Sequence, residues 1–181
     1  LAISALVRHD RELTQPVTRR ESPYVLGMIL LDIAAPILLM LGLERTNSAN
    51  ASLLNNFEIV ATSMIAFFVF REALSKRLTL AIILVTAASI ALSFEGEGSF
   101  QFNIGSLLVL GAACCWGLEN NCTRMLSNKS SVQITTIKGF FSGLGSLTVA
   151  LILGERLPGP LFAGAVLLLG FVAYGLSINF Y

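Results

Sequence analysis

Charged residues in this chain fall in clusters, and between the clusters run apolar stretches of about 20 residues. That spacing constrains the fold more than any other feature. At about 1.5 Å per residue, a helix of this length crosses the ~30 Å hydrocarbon core of a bilayer. Composition points the same way. Apolar residues make up 55% of the 181, charged residues 13%, and the mean hydropathy is +0.77. Soluble domains carry about 25% charged residues, so this chain could not cover its own surface in water. None of the stretches alternates with period two, which excludes barrel strands and leaves helices. The expected fold is an all-α integral membrane protein, an antiparallel bundle of about six transmembrane helices.

The expected spans run from Pro23 to Leu43, Ser48 to Phe70, Leu78 to Phe94, Ile104 to Leu126, Val132 to Gly154 and Leu161 to Tyr181. Leu1 to Val7 reads as the tail of an earlier span. Because the chain begins and ends in apolar sequence without an initiator Met, we read it as a piece of a longer membrane protein. Orientation follows from Lys and Arg. Arg8, Arg11, Arg19, Arg20, Arg71, Lys76, Arg77, Arg124 and Lys129 fall in alternate connections, while only Arg45 and Arg156 occupy the others. The basic side is expected to face the cytoplasm, and the membrane is expected to be the plasma (inner) membrane. The acidic, Gly-rich stretch 95–103 is the expected external linker between two halves, 1–94 and 104–181.

Several functions are excluded. A net charge of +1 offers no basic field for nucleic acid. Cys114, Cys115 and Cys122 form no disulfide framework, and a single histidine, His9, makes a zinc site untenable. No nucleophile–base or phosphate-loop motif is present. The chain is expected to be no enzyme and to need no cofactor or metal.

Four ionisable residues stand inside the spans: Asp32, Glu58, Glu119 and Lys138. Each costs at least ~2.5 kcal/mol at a helix centre and by default marks a pathway or a pair. Asp32 and Glu58 both reach mid-depth. Pro36 removes the donor for the carbonyl of residue 32, so a kink and a polar site are expected there, with a packing kink as the plainer alternative. On a single helix, Ser48, Ser52, Asn55, Asn56, Glu58, Thr62 and Ser63 form one polar stripe opposite Leu53, Leu54, Phe57, Ala61, Met64, Ile65 and Phe68. Such a stripe faces a water-filled cavity or a bundle interior; interhelical hydrogen bonding is the alternative. At mid-depth, desolvation disfavours an ionised Glu58. It is therefore a candidate proton carrier, an ammonium ligand or a protonated structural donor.

Further along, Ala112, Cys115, Trp116, Glu119, Cys122 and Thr123 share a helix face. Glu119 and Lys138 lie at matching depths on consecutive helices, so an ion pair across that hairpin is expected. Gly139 and Gly143 form a GxxxG that permits close helix approach, either inside the bundle or at a homodimer face.

Leu43-Glu44-Arg45-Thr46-Asn47-Ser48-Ala49, Leu53-Leu54-Asn55-Asn56-Phe57-Glu58-Ile59-Val60 and Phe70-Arg71-Glu72-Ala73-Leu74-Ser75 resemble the end of the first repeat of EamA-like transporters, of the drug/metabolite transporter superfamily. Cys115-Trp116-Gly117 resembles the first helix of the second repeat. One departure is Ile59, which stands where the family usually has Pro and puts the local helix kink in question. The resemblance implies ten helices in two inverted five-helix repeats with cytoplasmic termini, of which this chain would hold helices three to eight. Leu30 to Pro36 and Leu168 to Tyr174 fall at equivalent places in the two repeats. The function it implies is secondary transport of a small metabolite, amino acid or drug, often outward, by alternating access around a midplane cavity. Asn55 and Glu58 would line that cavity, with Asp32, Trp116, Glu119 and Tyr174 as further candidates. The expected partners are the lipid bilayer, a small-molecule substrate and protons as coupling ion. The rival is a membrane sensor or assembly subunit whose buried polar groups only hold helices together.

Overall fold

A computed structural model describes residues 16–73, 75–94, 104–155 and 157–172. The tail at Leu1 to Val7, the linker 95–103, Arg8, Arg11, Arg156 and Tyr174 lie outside the described residues. Within them the chain is helical and has no strand: α1 (Ser22–Leu43), α2 (Ser48–Asn55), α3 (Phe57–Phe68), α4 (Lys76–Phe94), α5 (Ile104–Arg124), α6 (Ser131–Ile152) and α7 (Pro160–Gly170). A helix lies on every expected span. Three segments, Ser22–Leu43, Ser48–Phe68 and Ser131–Ile152, are long and apolar enough to cross a membrane, and Pro160–Gly170 is a shorter apolar helix. None of the residues of α7 is buried, and Leu161 is 84% exposed. An apolar helix displayed this way is stable only in an apolar solvent, as expected for an integral membrane protein.

Local sequence sets the helix ends. Asn47 caps α2, its Oδ1 accepting from the Asn50 N–H at 2.7 Å. Ser75 Oγ accepts from the Leu78 N–H at the start of α4, and Ser130 caps α6 by accepting from Gln133 N–H. Past the end of α6, Gly154 takes φ 80°, and the Glu155 N–H turns back to the Ala150 carbonyl. After α3, Arg71 takes the left-handed conformation without being glycine (φ 55°), and the Glu72 N–H returns to the Ala66 carbonyl.

One expectation about helix continuity changes. The span from Ser48 to Phe70 is interrupted at a single residue, Asn56, which keeps right-handed helical dihedrals (φ −63°, ψ −18°) while its N–H turns back to the carbonyls of Leu53 and Leu54 in a tighter turn. Adjacent asparagines are poor helix formers whose side chains compete for backbone groups, and here they interrupt the helix without a proline. α1 carries Pro36 inside the helix.

The residues group into two compact units. One is Tyr24–Arg124; the other joins the chain up to Pro23 with Met125 onward. In the first unit, α5 is the central element. On α1, Met28, Ala35 and Gly42 are buried at a spacing of seven, one narrow seam. Gly42 lies against Val109 and Gly105, Leu38 against Gly111, and Gly27 against Cys122. Positions that fall along α1 rise along α5, so the two helices are antiparallel. For α2 and α3 the order is parallel: Ala51 and Leu54 cluster with Val109, and Ala61 and Thr62 meet Gly117. These are the directions that alternating short connections require. The helix after the expected linker thus packs among the helices before it.

Candidate functional site

The α3–α5 contact carries the polar groups. It can be this close because Gly117 has no side chain: a Cβ there would lie 2.8 Å from the Thr62 nitrogen and 2.9 Å from Ala61 Cβ. Close approach brings α5 side chains within reach of the α3 backbone. Asn121, only 2% exposed, uses one amide to join both helices, donating to the Gly117 carbonyl of its own helix (2.8 Å) and to the Thr62 carbonyl of α3 (2.9 Å). A buried amide with both N–H groups satisfied is a staple rather than a liability.

The neighbouring Asn120 is turned about 100° around the helix and is exposed. Its Nδ2 donates to Glu58 Oε1 at 2.9 Å; Thr62 Oγ1 is farther off, at 3.5 Å. Glu58 is half-buried in the first turn of α3, where the positive end of the helix dipole favours an acidic group. One turn earlier, beside the break, Asn55 Oδ1 is buried with no hydrogen-bond partner among the described residues. An orphaned buried acceptor costs about 1–3 kcal/mol.

Among the residues expected from sequence, the structure brings Glu58 against Asn120 and sets Asn55 at the helix break. Asp32 and Trp116 are half-buried on α1 and α5. Glu119 is 1% exposed and accepts a hydrogen bond from Thr123 Oγ1, along the face the sequence assigned to both. Lys138, its expected partner, is half-buried on α6 in the other unit.

The polar stripe does not act as one surface. Ser48, Ser52 and Asn56 are exposed, and buried Ser63 donates to the Ile59 carbonyl of its own helix at 2.8 Å. Ala51, Leu53 and Leu54 are the buried positions of α2 alongside Asn50. Asn120 and Asn121 were missed as site residues. The sequence reading followed the Glu119 face of α5, whereas the face toward α3 carries Gly117, Asn120 and Asn121. Among the described residues, no group of three or more His, Cys, Asp and Glu could hold a metal ion.

A second cluster lies in the other unit, outside the spans. Glu21 accepts from the Thr18 N–H (2.8 Å) and the Thr18 hydroxyl (2.9 Å), pairs with Lys129 Nζ (3.1 Å) and accepts from Asn128 Nδ2 (3.3 Å). Lys129 also donates to the Pro16 carbonyl, and its side chain is only 2% exposed. The Thr18 backbone and side-chain hydrogen bonds, followed by those from Lys129 and Asn128, lower the Glu21 pKa from 4.5 to about 2. In the first unit, Arg124 pairs with Glu72 and Tyr24 stacks near Phe70, their ring centroids 6.5 Å apart.

Comparison with known proteins adds three findings. The sequence model of the EamA-like transporter family matches residues 1–94. An uncharacterized transporter from Methanothermobacter thermautotrophicus is 32% identical over 142 residues, which covers 76% of this chain and 41% of the relative. The chain therefore spans about two-fifths of the length of that curated relative. No solved structure matches.

Proposed function

Because the chain belongs to the EamA-like transporter family, we propose that it forms part of a secondary transporter in the plasma (inner) membrane. Its cargo is a small metabolite, amino acid or drug, moved outward by alternating access. The whole protein would have ten helices in two inverted repeats, with this chain supplying helices three to eight and the stretch 95–103 joining the repeats. The observation that carries the reading is the interrupted helix: α2 stops at Asn55, α3 restarts at Phe57, and Glu58 follows at once. Interrupted membrane helices persist where their backbone lines a cavity or a binding site, because lipid cannot satisfy the freed groups. Asn55 supports this, since its buried Oδ1 has no donor among the described residues. Asn55 and Glu58 are the proposed cargo contacts. Asp32, Trp116, Glu119 and Tyr174 are proposed to lie along the pathway, and protons to drive it.

The polar groups divide by role. Asn121 is fully used in joining α3 to α5, as the rival assembly reading requires of every buried polar group. Asn55 Oδ1 is not used in this way among the described residues, and its place beside the helix interruption is what sets it apart as a cargo contact.

Accessibility at Asn56, the exposed residue at the break, tests alternating access. In full-length protein lacking native cysteines, Asn56→Cys should react with a membrane-impermeant thiol reagent from either side, with the balance shifting when cargo or a proton gradient is imposed. Reaction from one side under every condition would contradict alternating access at this site.

A further inference from the structure

Two connections on the side expected to face the cytoplasm, residues 16–21 before α1 and residues 125–130 between α5 and α6, are joined by one polar cluster within a single compact unit. The first connection falls in the half 1–94 and the second in the half 104–181, on the division expected from sequence. The contact is therefore a tie between halves. Its two sides are built differently. Glu21 belongs to the entry of α1, where it forms a capping box with Thr18: the Thr18 N–H and hydroxyl donate to its Oε2, and the Glu21 and Ser22 N–H groups return to the Thr18 carbonyl. These bonds are local and persist whether or not the other connection is in place.

The other connection supplies the bonds that cross. Lys129 stands directly before Ser130, the cap of α6, and its Nζ reaches Glu21 Oε2 and the Pro16 carbonyl, each at 3.1 Å. Asn128 Nδ2 adds a bond to Glu21 Oε1 at 3.3 Å. With its side chain 2% exposed, the Lys129 ammonium is stable in place only while it is paired. The cluster lies outside the spans, so an ammonium that leaves it regains water, and the hydration recovered offsets much of the attraction lost. Closed and open arrangements then differ little in free energy, and a small bias decides between them. The bonds from Thr18, then those from Lys129 and Asn128, hold the Glu21 pKa at about 2, so Glu21 stays ionised near neutral pH and movement, not a proton, opens the contact. Arg124, five residues before Lys129, pairs with Glu72, but those side chains are 46% and 41% exposed, and water already competes for them.

We propose that the Glu21–Lys129 cluster is a latch: it holds the cytoplasmic ends of the two halves together while the cargo site faces outward, and it parts when the site faces the cytoplasm. The inference rests on the transporter reading and adds to it the contact that closes one side.

The test uses full-length protein lacking native cysteines and carrying Asn56→Cys, in sealed vesicles of either orientation, with a membrane-impermeant maleimide as probe and a proton gradient of each sign imposed. Glu21→Gln should raise the ratio of cytoplasmic to external labelling about tenfold, because the closed state then buries an ammonium that has lost its charged partner. Lys129→Gln should raise it less, since Glu21 keeps its bonds from Thr18. Exchanging the two charges, Glu21→Lys with Lys129→Glu, should return part of the ratio, and Arg124→Gln should leave it unchanged. Locking the contact is the decisive arm, because a contact needed only for folding is indifferent to being made permanent. A water-soluble carbodiimide joins touching Glu21 and Lys129 side chains by an amide, and mass spectrometry of the linked peptides gives the joined fraction. Joined protein should lose cytoplasmic labelling and keep external labelling, whereas Glu21→Gln protein treated alike should keep both. This arm retains the native side chains, so it decides even where a variant fails to fold. Cytoplasmic labelling that survives joining, or an unchanged ratio in both Glu21→Gln and Lys129→Gln, would overturn the latch and leave the transporter reading standing. Labelling from one side only, under either gradient and in every variant, would overturn both.

Discussion

Helices α5 and α6 have similar lengths, and both carry glycines and scattered hydroxyl and amide groups, yet they solve the problem of polar groups in lipid differently. On α5, glycine is a device for close approach, and Asn121 divides its two N–H groups between its own helix and α3. On α6, a Cβ at Gly139 or Gly143 would meet nothing within 4 Å, so the GxxxG is open among the described residues. The hydroxyls of Thr136 and Thr148 return to the Val132 and Leu144 carbonyls of the same helix. A hydroxyl has a single proton and can spend it at home, which leaves a helix self-contained. An amide has two and can bind a second helix.

The largest effect that follows is at Gly117. Gly117→Ala forces a Cβ against the α3 backbone, which has no flexible end to move aside, and should destabilise by about 1–3 kcal/mol. Gly139→Ala should be neutral, or stabilising by up to ~1 kcal/mol, because alanine is the better helix former. Unfolding of both variants in detergent decides. Equal losses would mean that α6 is as tightly packed as α5 in the whole protein.

A smaller difference separates Asn121 from Thr136. Asn121→Leu removes a cross-helix staple and should cost about 0.6 kcal/mol, the average for such bonds in membranes, and no more than about 1.7 kcal/mol. Thr136→Val removes a bond within one helix at an exposed position and should change stability by less than ~0.5 kcal/mol. A reversed order would contradict the distinction between the two helices.

The helices themselves were legible because a 20-residue apolar run has few alternatives in a chain so poor in charge. Glu58 was legible from depth alone. The interruption at Asn56 was not: Ile59 at the family's proline position left a local kink in question, and two asparagines read as part of a polar stripe. Their weak helix propensity becomes decisive only beside an otherwise strongly helical sequence. Asn120 was hidden for a different reason. Its partner lies 62 residues earlier, and which face of α5 meets α3 is set by Gly117, whose role depends on the packing it permits. Local periodicity carries no information about such a pairing. The Glu21–Lys129 cluster was equally illegible, since the basic count used Lys129 for orientation and left its burial unexamined.

The smallest effect concerns that cluster. The Glu21 pKa lies below its unfolded value, so its stabilising contribution is complete above about 4.5 and is lost as pH falls toward about 2. The protection of the amides of residues 17–21, exchange rates being divided by the intrinsic rate at each pH, should therefore fall over that window, and Glu21→Gln should lower it already at neutral pH. Protection that is unchanged between pH 4.5 and 2 would show that Lys129 is held by its bond to the Pro16 carbonyl instead.

The central claim is that Glu58 takes part in transport rather than in packing. Full-length wild type and Glu58→Gln, reconstituted in vesicles, should be compared for gradient-driven flux and for exchange of labelled cargo at equal pH. Glutamine keeps size and hydrogen bonding but does not titrate. If Glu58 carries protons, gradient-driven flux is lost while exchange continues; if its charge holds the cargo ammonium, exchange falls as well. Wild-type flux, exchange and pH response in Glu58→Gln would contradict the claim and leave Glu58 a structural partner of Asn120.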